Sequence, residues 1–518
     1  MNFPVLSAII LSPILGAVII AFIPAKEHRL IKVTAAAASF VTLVLSIIVW
    51  ACYDMKRAGM QFVEKISWLE PFGINYSLGV DGLSIPLMLL TALVIFTAVF
   101  ASWNVETRVK EFFAFLLVMV AGIFGVFAAR DLFWFFIFYE LVVIPTYVII
   151  VVWGSTRKEY GAMKLTLYHA VSSAFILISI ISIYVYASNQ LGYGTFDIQT
   201  LASVEYDPFF QKIVFLLMLI GFGILVPMWP AHTWAPDGHV ASPAAVSMLL
   251  AGVVMKMGGY GLIRAALLFF PEGAVFWAPL IAVFCVINVV YGALIAMVQK
   301  DIKFVIGYSS VSHMGYLLLG VAALNTISLN GAVSQMFAHG VMTALFFALV
   351  GYLYEQLKTR EIAKMGGLAH QMPRVAAAFV IAGLASLGLP GLHNFVAEFM
   401  IFIGTYTADI EIIAGGIFTI NLKIAVIIAL LGIIITAIYV LRVIQFVFFG
   451  PRKPEWDHVR DAGGPALVPV ILLCGVLILF GIFPQLITGL INSGVESVME
   501  HAFPYVNETL FSTGGFFR

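Results

Sequence analysis

The sequence has 518 residues, of which 62% are hydrophobic and 10% carry a charge. Such a chain has too few polar groups to cover a water-soluble surface, so the composition predicts a membrane protein in contact with the lipid bilayer. Its 27 basic and 27 acidic residues balance. This balance leaves no net positive field to attract nucleic acid, and we exclude that class of partner.

The N-terminal apolar run, residues 1–24, could be a signal peptide or a membrane helix. It has no basic segment before it, and its first cation, Lys26, follows the run, so the sequence favours a first membrane helix. The three cysteines, Cys52, Cys285 and Cys474, each lie alone in an apolar segment. Their spacing suits neither a disulfide nor an iron–sulfur cluster or zinc site, and we interpret them as packing residues.

Apolar stretches long enough to cross a bilayer recur along the whole sequence. A hydrocarbon core about 30 Å thick takes about 20 residues of helix, and we predict an all-α polytopic membrane protein with about fourteen such helices. The predicted spans are 3–24, 30–53, 82–103, 111–129, 131–154, 161–188, 211–236, 241–268, 274–298, 302–324, 327–356, 372–406, 422–449 and 465–491.

Lysine and arginine are distributed unequally between the two sides of this predicted bundle. The odd-numbered loops and the helix ends beside them carry seventeen of these residues, and the opposite side carries eight. Basic residues are enriched in cytoplasmic loops. The bias therefore predicts that both termini are non-cytoplasmic, in a multi-pass protein of a bacterial plasma membrane.

Two of the predicted helices are interrupted by proline. The seventh contains Pro227 and Pro230, and the twelfth contains Pro390 between Gly388 and Gly391. Proline removes a backbone donor and clashes with the preceding turn, so such a helix persists in a membrane only where protein or water satisfies the freed carbonyls. Breaks five helices apart predict an ion or substrate path between two inverted five-helix repeats. The alternative is two independent proline kinks.

These repeats divide the predicted chain into four parts, and each repeat contains one discontinuous helix. Residues 1–110 hold helices one to three, and residues 111–268 form the first repeat, with helices four to eight. Residues 274–449 form the second, inverted repeat, with helices nine to thirteen. Residues 465–518 hold helix fourteen and the C-terminal tail.

Ionisable residues lie in the middle of several apolar segments. Glu140, Lys256 and Glu398 are central in predicted helices, and His313 and His339 lie on helices between the last two. A charge at the bilayer centre costs at least about 2.5–3.5 kcal/mol, so several in one chain imply partners or water and a function. Carboxylate, lysine and histidine groups close together can pass protons, so a proton relay is predicted. The alternative is a set of paired or neutral struts.

Two further histidines, His232 and His239, have a seven-residue spacing that could suggest a metal site. No third ligand is evident in the sequence, so we interpret the segment as part of the helix break and predict no metal. The sequence also lacks a glycine-rich phosphate-binding motif at the start of a soluble helix. We therefore expect no nucleotide site.

Six segments carry a family resemblance. They read GVDGLSIPLMLLTAL, FYELVVIPTYVII, MWPAHTWAPDGHVASPAAVSMLLAGVVMKMGGYGLIR, QKDIKFVIGYSSVSHMGYLLLG, SQMFAHGVMTALFF and SLGLPGLHNFVAEF. In this order, and over nearly the whole chain, they closely resemble the antiporter-like M subunits of respiratory complex I, also called NADH dehydrogenase subunit 4.

The resemblance implies a fourteen-helix fold with two inverted five-helix repeats. It also implies a membrane subunit of a NADH:quinone oxidoreductase that moves protons across the membrane and carries no redox cofactor itself. Iron–sulfur clusters, flavin and quinone are expected in partner subunits, where quinone reduction drives the protons. L-like and N-like subunits are the expected neighbours in the membrane arm.

The related L and N subunits and the subunits of Mrp-type sodium/proton antiporters share this fold. M subunits place a glutamate on the broken twelfth helix, where L and N place a lysine, so Glu398 favours an M-like chain. The predicted last helix ends at residue 491, and the residues after it are too few for the long lateral helix of L.

The family's functional positions match residues of this sequence. Glu140 resembles the essential glutamate of the fifth helix, Lys256 the central lysine of the eighth, and Glu398 the terminal residue of the exit path. The two histidines between them, His313 and His339, resemble the linking histidines of the family. Lys164 matches a further basic position near the cytoplasmic entrance.

One family position differs. The seventh-helix lysine that pairs with the fifth-helix glutamate falls where this sequence has Leu225, so Glu140 would lose its cation. Three hypotheses follow: a pumping M-like subunit in which Lys164 or His169 replaces the cation, an M-like subunit of a variant ferredoxin-linked or quinone-linked complex with altered or lost pumping, or a subunit of an Mrp-type cation/proton antiporter. A purely structural membrane anchor is the alternative from a different class.

Overall fold

The computed structural model describes residues 3–57, 59–408 and 417–503. Within these ranges the helices are α1 (Val5–Phe22), α2 (His28–Cys52), α3 (Ser84–Ala101), α4 (Val109–Ala128), α5 (Leu132–Trp153), α6 (Lys158–Leu191), α7 (Ile198–Ala202), α8 (Pro208–Leu225), α9 (Trp234–Ala241), α10 (Ala244–Leu267), α11 (Pro271–Val298), α12 (Ile302–Ala322), α13 (Thr326–Leu357), α14 (Pro373–Ser386), α15 (His393–Tyr406), α16 (Leu422–Phe448), α17 (Leu467–Ile482) and α18 (Gln485–Ala502). Two strands, β1 (Gln61–Leu69) and β2 (Ile74–Val80), form an antiparallel hairpin.

The membrane-spanning part is helical throughout, as predicted. Among the described residues, thirteen segments are long and apolar enough to cross a bilayer. The pair α14 and α15 supplies one further crossing in two pieces. The prediction of an all-α polytopic membrane protein is confirmed, and so are the discontinuities in the seventh and twelfth crossings, which fall between α8 and α9 and between α14 and α15.

The break in the seventh crossing is held by a side chain from another helix. Between the end of α8 and the start of α9, the amide carbonyl oxygen of Asn288 accepts a hydrogen bond from the Trp229 N–H (2.6 Å), and its amide nitrogen donates to the Pro227 carbonyl (3.0 Å). Asn288 lies on α11 and is fully buried. It satisfies backbone groups that a proline break would otherwise leave unpaired in the membrane.

The break in the twelfth crossing depends on glycine. Gly388 and Gly391 have φ values of +63° and +93°, in the left-handed region that side chains disfavour. A Cβ on Gly481 of α17 would lie 2.2 Å from the Gly391 carbonyl oxygen, so the break also packs closely against the last crossing. The sequence Gly-Leu-Pro-Gly therefore allows a turn that an unbroken helix excludes.

Two elements differ from the sequence-based expectation. The helix predicted over 465–491 ends at Ile482, and a separate helix, α18, begins at Gln485 after Pro484. A Cβ on Gly82 would lie 2.0 Å from the Leu490 carbonyl oxygen, so α18 packs tightly against the loop before α3. The β1–β2 hairpin was not predicted either, because its residues fall outside every predicted span, between two strongly apolar helices.

The two ends of the bundle are distinguished by their loops. We call the end with the loops after α5, α9, α11 and α13 the basic side, and the end with the hairpin the hairpin side. On the basic side, Arg360 pairs with Asp301 (3.2 Å) and donates to Ser155 Oγ (3.3 Å) and the Val240 carbonyl (3.1 Å). This one guanidinium therefore joins three loops and the last turn of α9.

Candidate functional site

Lys256 lies halfway along α10, a crossing that is buried along its whole length. Turns of π-helix, Leu250–Val254 and Leu262–Leu267, flank the short α-helical segment that holds it. The fully buried side chain of Lys256 donates to the Ala251 carbonyl. Since Ala251 is seven residues into α10, the ammonium group points back toward the basic side, about 10 Å from that end of the helix.

Two histidines continue from Lys256 into the second repeat. The Lys256 Nζ lies 2.8 Å from Nδ1 of His339 on α13. The rings of His339 and His313, which is on α12, are 5.4 Å apart between centroids. Both histidines are buried. Three helices thus bring three nitrogen bases, all able to exchange protons, into one row.

Glu398 ends this row on the hairpin side of the break in the twelfth crossing. Its Oε1 lies 3.4 Å from His313 Nδ1, an ion-pair distance without hydrogen-bond geometry. The other ring nitrogen of His313 lies 3.1 Å from Ser386 Oγ, at the end of α14. Glu398 is 3% exposed, and a Cβ on Gly388 would lie 2.5 Å from its Oε2. The break therefore makes the space that this carboxylate occupies.

Of the residues that the sequence proposes for a relay, the structure brings four into one row, Lys256, His339, His313 and Glu398, and leaves Glu140 and Lys164 outside it. Each member can hold or release one proton, and neighbouring members are in contact or one short step apart. Buried tyrosines line it, with Tyr316 packed against His313 (5.7 Å between ring centroids) and Tyr439 donating to Ser309 Oγ (2.7 Å).

Glu140 is placed differently. It lies near the middle of α5 but is only half-buried, and its Oε1 has no hydrogen-bond partner among the described residues. The nearby polar side chain is Ser173 on α6. Lys164, expected as a replacement cation, pairs instead with Asp237 at 2.7 Å. The described part of the chain contains no ion pair to Glu140, so the structure does not join Glu140 to the row that begins at Lys256.

Leu225 and His169 are the other two residues of the first repeat that bear on a cation partner for Glu140. Leu225 is 1% exposed at the end of α8, and a Cβ on Gly258 would lie 2.8 Å from its Cβ. The contact between α8 and α10 is therefore tight and apolar at the position where the resemblance to M subunits implies a lysine. His169 packs edge-on against Trp234, with 4.6 Å between ring centroids, and neither of its ring nitrogens is hydrogen-bonded within the described residues. It does not replace the cation in this structure.

A buried ion pair that we did not predict lies toward the hairpin side. Nη2 of Arg264, at the end of α10, lies 2.5 Å from both carboxylate oxygens of Asp81. Burial opposes ionisation of Asp81, but the guanidinium and the N–H groups of Leu83 and Ser84 outweigh it and hold the pKa of Asp81 below its usual value. The signal was available, because Arg264 is a charge at the end of an apolar segment and Asp81 immediately precedes one.

The chain matches the family model described as NADH:quinone oxidoreductase/Mrp antiporter over residues 129–442. It is 38% identical over 492 residues to NAD(P)H-quinone oxidoreductase chain 4 of Gloeobacter violaceus, covering 94% of this chain and 91% of that protein. A chain 4 of Nostoc sp. is also 38% identical, over 508 residues, with 97% and 92% covered.

Solved structures show the same architecture. A chain of respiratory complex I from Thermus thermophilus superposes with a TM-score of 0.84 at 27% identity, covering 96% of this chain and 100% of that one. A chain of the Mrp complex from Dietzia sp. has a TM-score of 0.82 at 20% identity, with 98% and 99% covered, a likeness that concerns the fold alone. The chain belongs to the NADH:quinone oxidoreductase/Mrp antiporter family of multi-pass membrane proteins, as an antiporter-like subunit of the complex I kind.

Proposed function

We propose that this chain is a proton-translocating membrane subunit of a complex I-type NADH-quinone oxidoreductase. The observation that carries the proposal is the buried row Lys256, His339, His313 and Glu398, which runs from the centre of α10 to the part of α15 just beyond the break in the twelfth crossing. Buried ionisable groups in a membrane are costly and seldom serve packing alone. A row of four on four different helices is a path for protons.

In this proposal the basic side faces the cytoplasm of a bacterium, in the plasma membrane, and both termini face the other side. Quinone reduction takes place in partner subunits, which hold the flavin, the iron–sulfur clusters and the quinone. L-like and N-like chains are the neighbours in the membrane arm. The 38% identity to chains named NAD(P)H-quinone oxidoreductase chain 4 supports membership of such a complex.

Leu225 supports a second candidate function, an M-like subunit of a variant complex with altered or lost pumping. The apolar contact at Leu225 and the pairing of Lys164 with Asp237 leave Glu140 without a cation among the described residues. A third candidate, a subunit of an Mrp-type cation/proton antiporter, has only the shared fold in its favour.

The first experiment identifies the partners. We would purify the complex from its native membrane in mild detergent and look for iron–sulfur and quinone-reducing subunits. A redox arm that copurifies with the chain supports both oxidoreductase candidates. Its absence, with only other membrane subunits present, would point to the antiporter.

The second experiment tests the row itself. The complex is reconstituted in vesicles, and protons moved per electron are measured for Lys256→Met and Glu398→Gln, which keep side-chain volume but remove a proton site. Both should lower this ratio while the subunit composition is retained. The matched control is Lys212→Met, a lysine at the hairpin side that lies over the Phe276 ring. An unchanged ratio in both row variants would refute pumping through this path.

A further inference from the structure

His239, in the last turn of α9, has no role in the row described above. It is fully buried, and neither of its ring nitrogens has a hydrogen-bond partner within the part of the chain that the structure describes. An unpaired buried polar group costs about 1–3 kcal/mol, and most buried polar side chains bind a protein group or an ordered water. Packing alone does not require a histidine at this position.

The position of His239 relates it to the central pair. Lys256, Lys303 and His339 are all within electrostatic reach of its ring, and the rings of Phe347 and Trp234 lie 5.2 Å and 6.4 Å from it. His239 therefore lies between aromatic side chains and near the two bases Lys256 and His339. The Lys256 ammonium points toward this end of the bundle, as its bond to the Ala251 carbonyl shows.

Lys303 lies near His239 at the basic-side end of α12. It is the second residue of α12, it is 5% exposed, and its Nζ donates to the Ser242 carbonyl at 2.5 Å. Ser247 Oγ, which donates to the His239 carbonyl at 2.9 Å, lies 3.4 Å from the same Ser242 oxygen. The charges beside Lys303 are the pair Asp301 and Arg360, of which Asp301 is partly exposed on the basic side.

We propose that Lys303 and His239 form the proton inlet from the basic side to Lys256. In each step one N–H bond breaks and one forms. The Lys303 ammonium releases a proton to the free ring nitrogen of neutral His239, and the imidazolium then releases a proton from either ring nitrogen to the Lys256 amine. Lys303 regains its proton from water on the basic side. Water molecules bridge the gaps that side chains do not close, and no electron moves.

This inlet rests on the proposed function and deepens it, because it supplies protons to the row at Lys256 without involving α5. Glu140 and the Leu225 position are then not needed to load Lys256. The loss of the seventh-helix lysine would leave the second half of the path intact.

Lys303 could instead serve only as a cap, since Ser242 ends α9 and a cation stabilises the C-terminus of a helix. The variant Lys303→Arg separates the two roles. Arginine keeps the positive charge and the hydrogen-bond donors, but a guanidinium does not release its proton in a protein. A cap is preserved by this change, whereas an inlet is blocked.

The test uses the whole complex in vesicles and measures protons moved per electron. We expect His239→Gln, Lys303→Met and Lys303→Arg each to lower the ratio to the level of Lys256→Met, with subunit composition retained. The matched control is His232→Gln, seven residues earlier, because His232 is also buried with both ring nitrogens unpaired among the described residues but packs against Tyr291. That control should keep the native ratio.

The outcomes separate the two proposals. If Lys256→Met lowers the ratio but His239→Gln and Lys303→Arg do not, the inlet is wrong and the row remains. If Lys256→Met itself has no effect, the proposed function fails. Should His239→Gln prevent assembly, Lys303→Arg decides alone, and a native ratio in that variant overturns the inlet.

Discussion

At the scale of single residues, the contact between Gly388 and Glu398 explains why the break and the buried carboxylate belong together. The left-handed φ of Gly388 turns the chain after α14, and the missing side chain leaves room for Glu398 Oε2. A helix without this break would place backbone where the carboxylate lies. Pro390 identifies the break in the sequence, and Gly388 provides both the turn and the space for the carboxylate.

We expect Gly388→Ala to disturb Glu398 specifically. The left-handed conformation should cost about 1–2 kcal/mol of stability with any side chain, and the new Cβ would lie 2.5 Å from Glu398 Oε2. Protons moved per electron should therefore fall. Gly391→Ala is the control, because Gly391 has φ +93° but no atom within 4 Å of its added Cβ. Equal losses of pumping in both variants would contradict the contact argument.

Glu140 lies on a face of the bundle that the rest of this chain covers only in part. Its helix α5 presents the exposed side chains Ile137 and Ile144, one turn before and one turn after it. The half-buried carboxylate thus belongs to a face of the bundle that contains apolar groups otherwise left to lipid. A charge on such a face needs a partner or a proton, and among the described residues this chain supplies no cation.

At the scale of elements, Asn288 links the two repeats. It lies on the first helix of the second repeat and binds both the Trp229 N–H and the Pro227 carbonyl in the break of the first. Ser312, on α12, donates to the Val289 carbonyl at 2.9 Å, so the same helix is also fixed to the helix that carries His313. The seventh crossing is therefore not free to bend independently of the row.

We expect Asn288→Leu to loosen the break. The substitution leaves a buried donor and a buried acceptor unpaired, at about 1–3 kcal/mol each. Hydrogen exchange at the Trp229 amide, followed by mass spectrometry of the purified complex, should become faster. The control is Cys285→Ala, one turn earlier on α11 and also fully buried. Exchange that is unchanged in Asn288→Leu would show that other groups hold the break.

Local signals explain which elements the sequence could predict. Proline at 227, 230 and 390 marked both breaks, and long apolar runs marked the crossings, because a bilayer demands them. The hairpin lacked such a signal. Its apolar residues Val63, Ile66 and Trp68 are exposed on β1, so the sequence of β1 does not alternate between buried apolar and exposed polar positions. Pro484 separates α18 from α17, but the apolar residues after it continued the pattern of a single helix.

The candidate site was predictable as a set of residues but not as a set of contacts. Each member of the row was recognised as a charge or a histidine in an apolar helix, which requires no tertiary structure. The pairing of Lys164 with Asp237 rather than Glu140 depends on how α6 packs against α9. From the sequence, His239 was considered only as a possible metal ligand, because the sequence does not show that His239 and Lys256 lie near each other in the fold.

At the scale of the whole molecule, the two repeats are unequal. The row begins at Lys256 in the last helix of the first repeat, and its other three members lie in the second repeat. In the first repeat, Glu140 is separated from this row and Leu225 makes an apolar contact. The same fold in two orientations therefore does not imply two working half-paths. The loops of the basic side, joined by Arg360, hold the repeats together at the end where we place the inlet.

This inequality leads to a prediction about Leu225→Lys. The new ammonium would enter a site that is now 1% exposed and, by family resemblance, would face Glu140. If the first repeat moves no protons because it lacks this cation, the variant should raise the number of protons moved per electron above the native ratio. Removing the carboxylate in Leu225→Lys with Glu140→Gln should abolish the gain, because the cation would again be unpaired.

Leu225→Met is the control for volume, since it keeps an apolar side chain of similar size. Its ratio should equal that of the native complex. If the buried lysine of Leu225→Lys is left unpaired, the complex should assemble poorly. Better assembly of Leu225→Lys alone than of Leu225→Lys combined with Glu140→Gln would then still show that the new lysine pairs with Glu140. A native ratio in an assembled Leu225→Lys complex would mean that the first repeat is closed to protons for a reason other than the missing lysine.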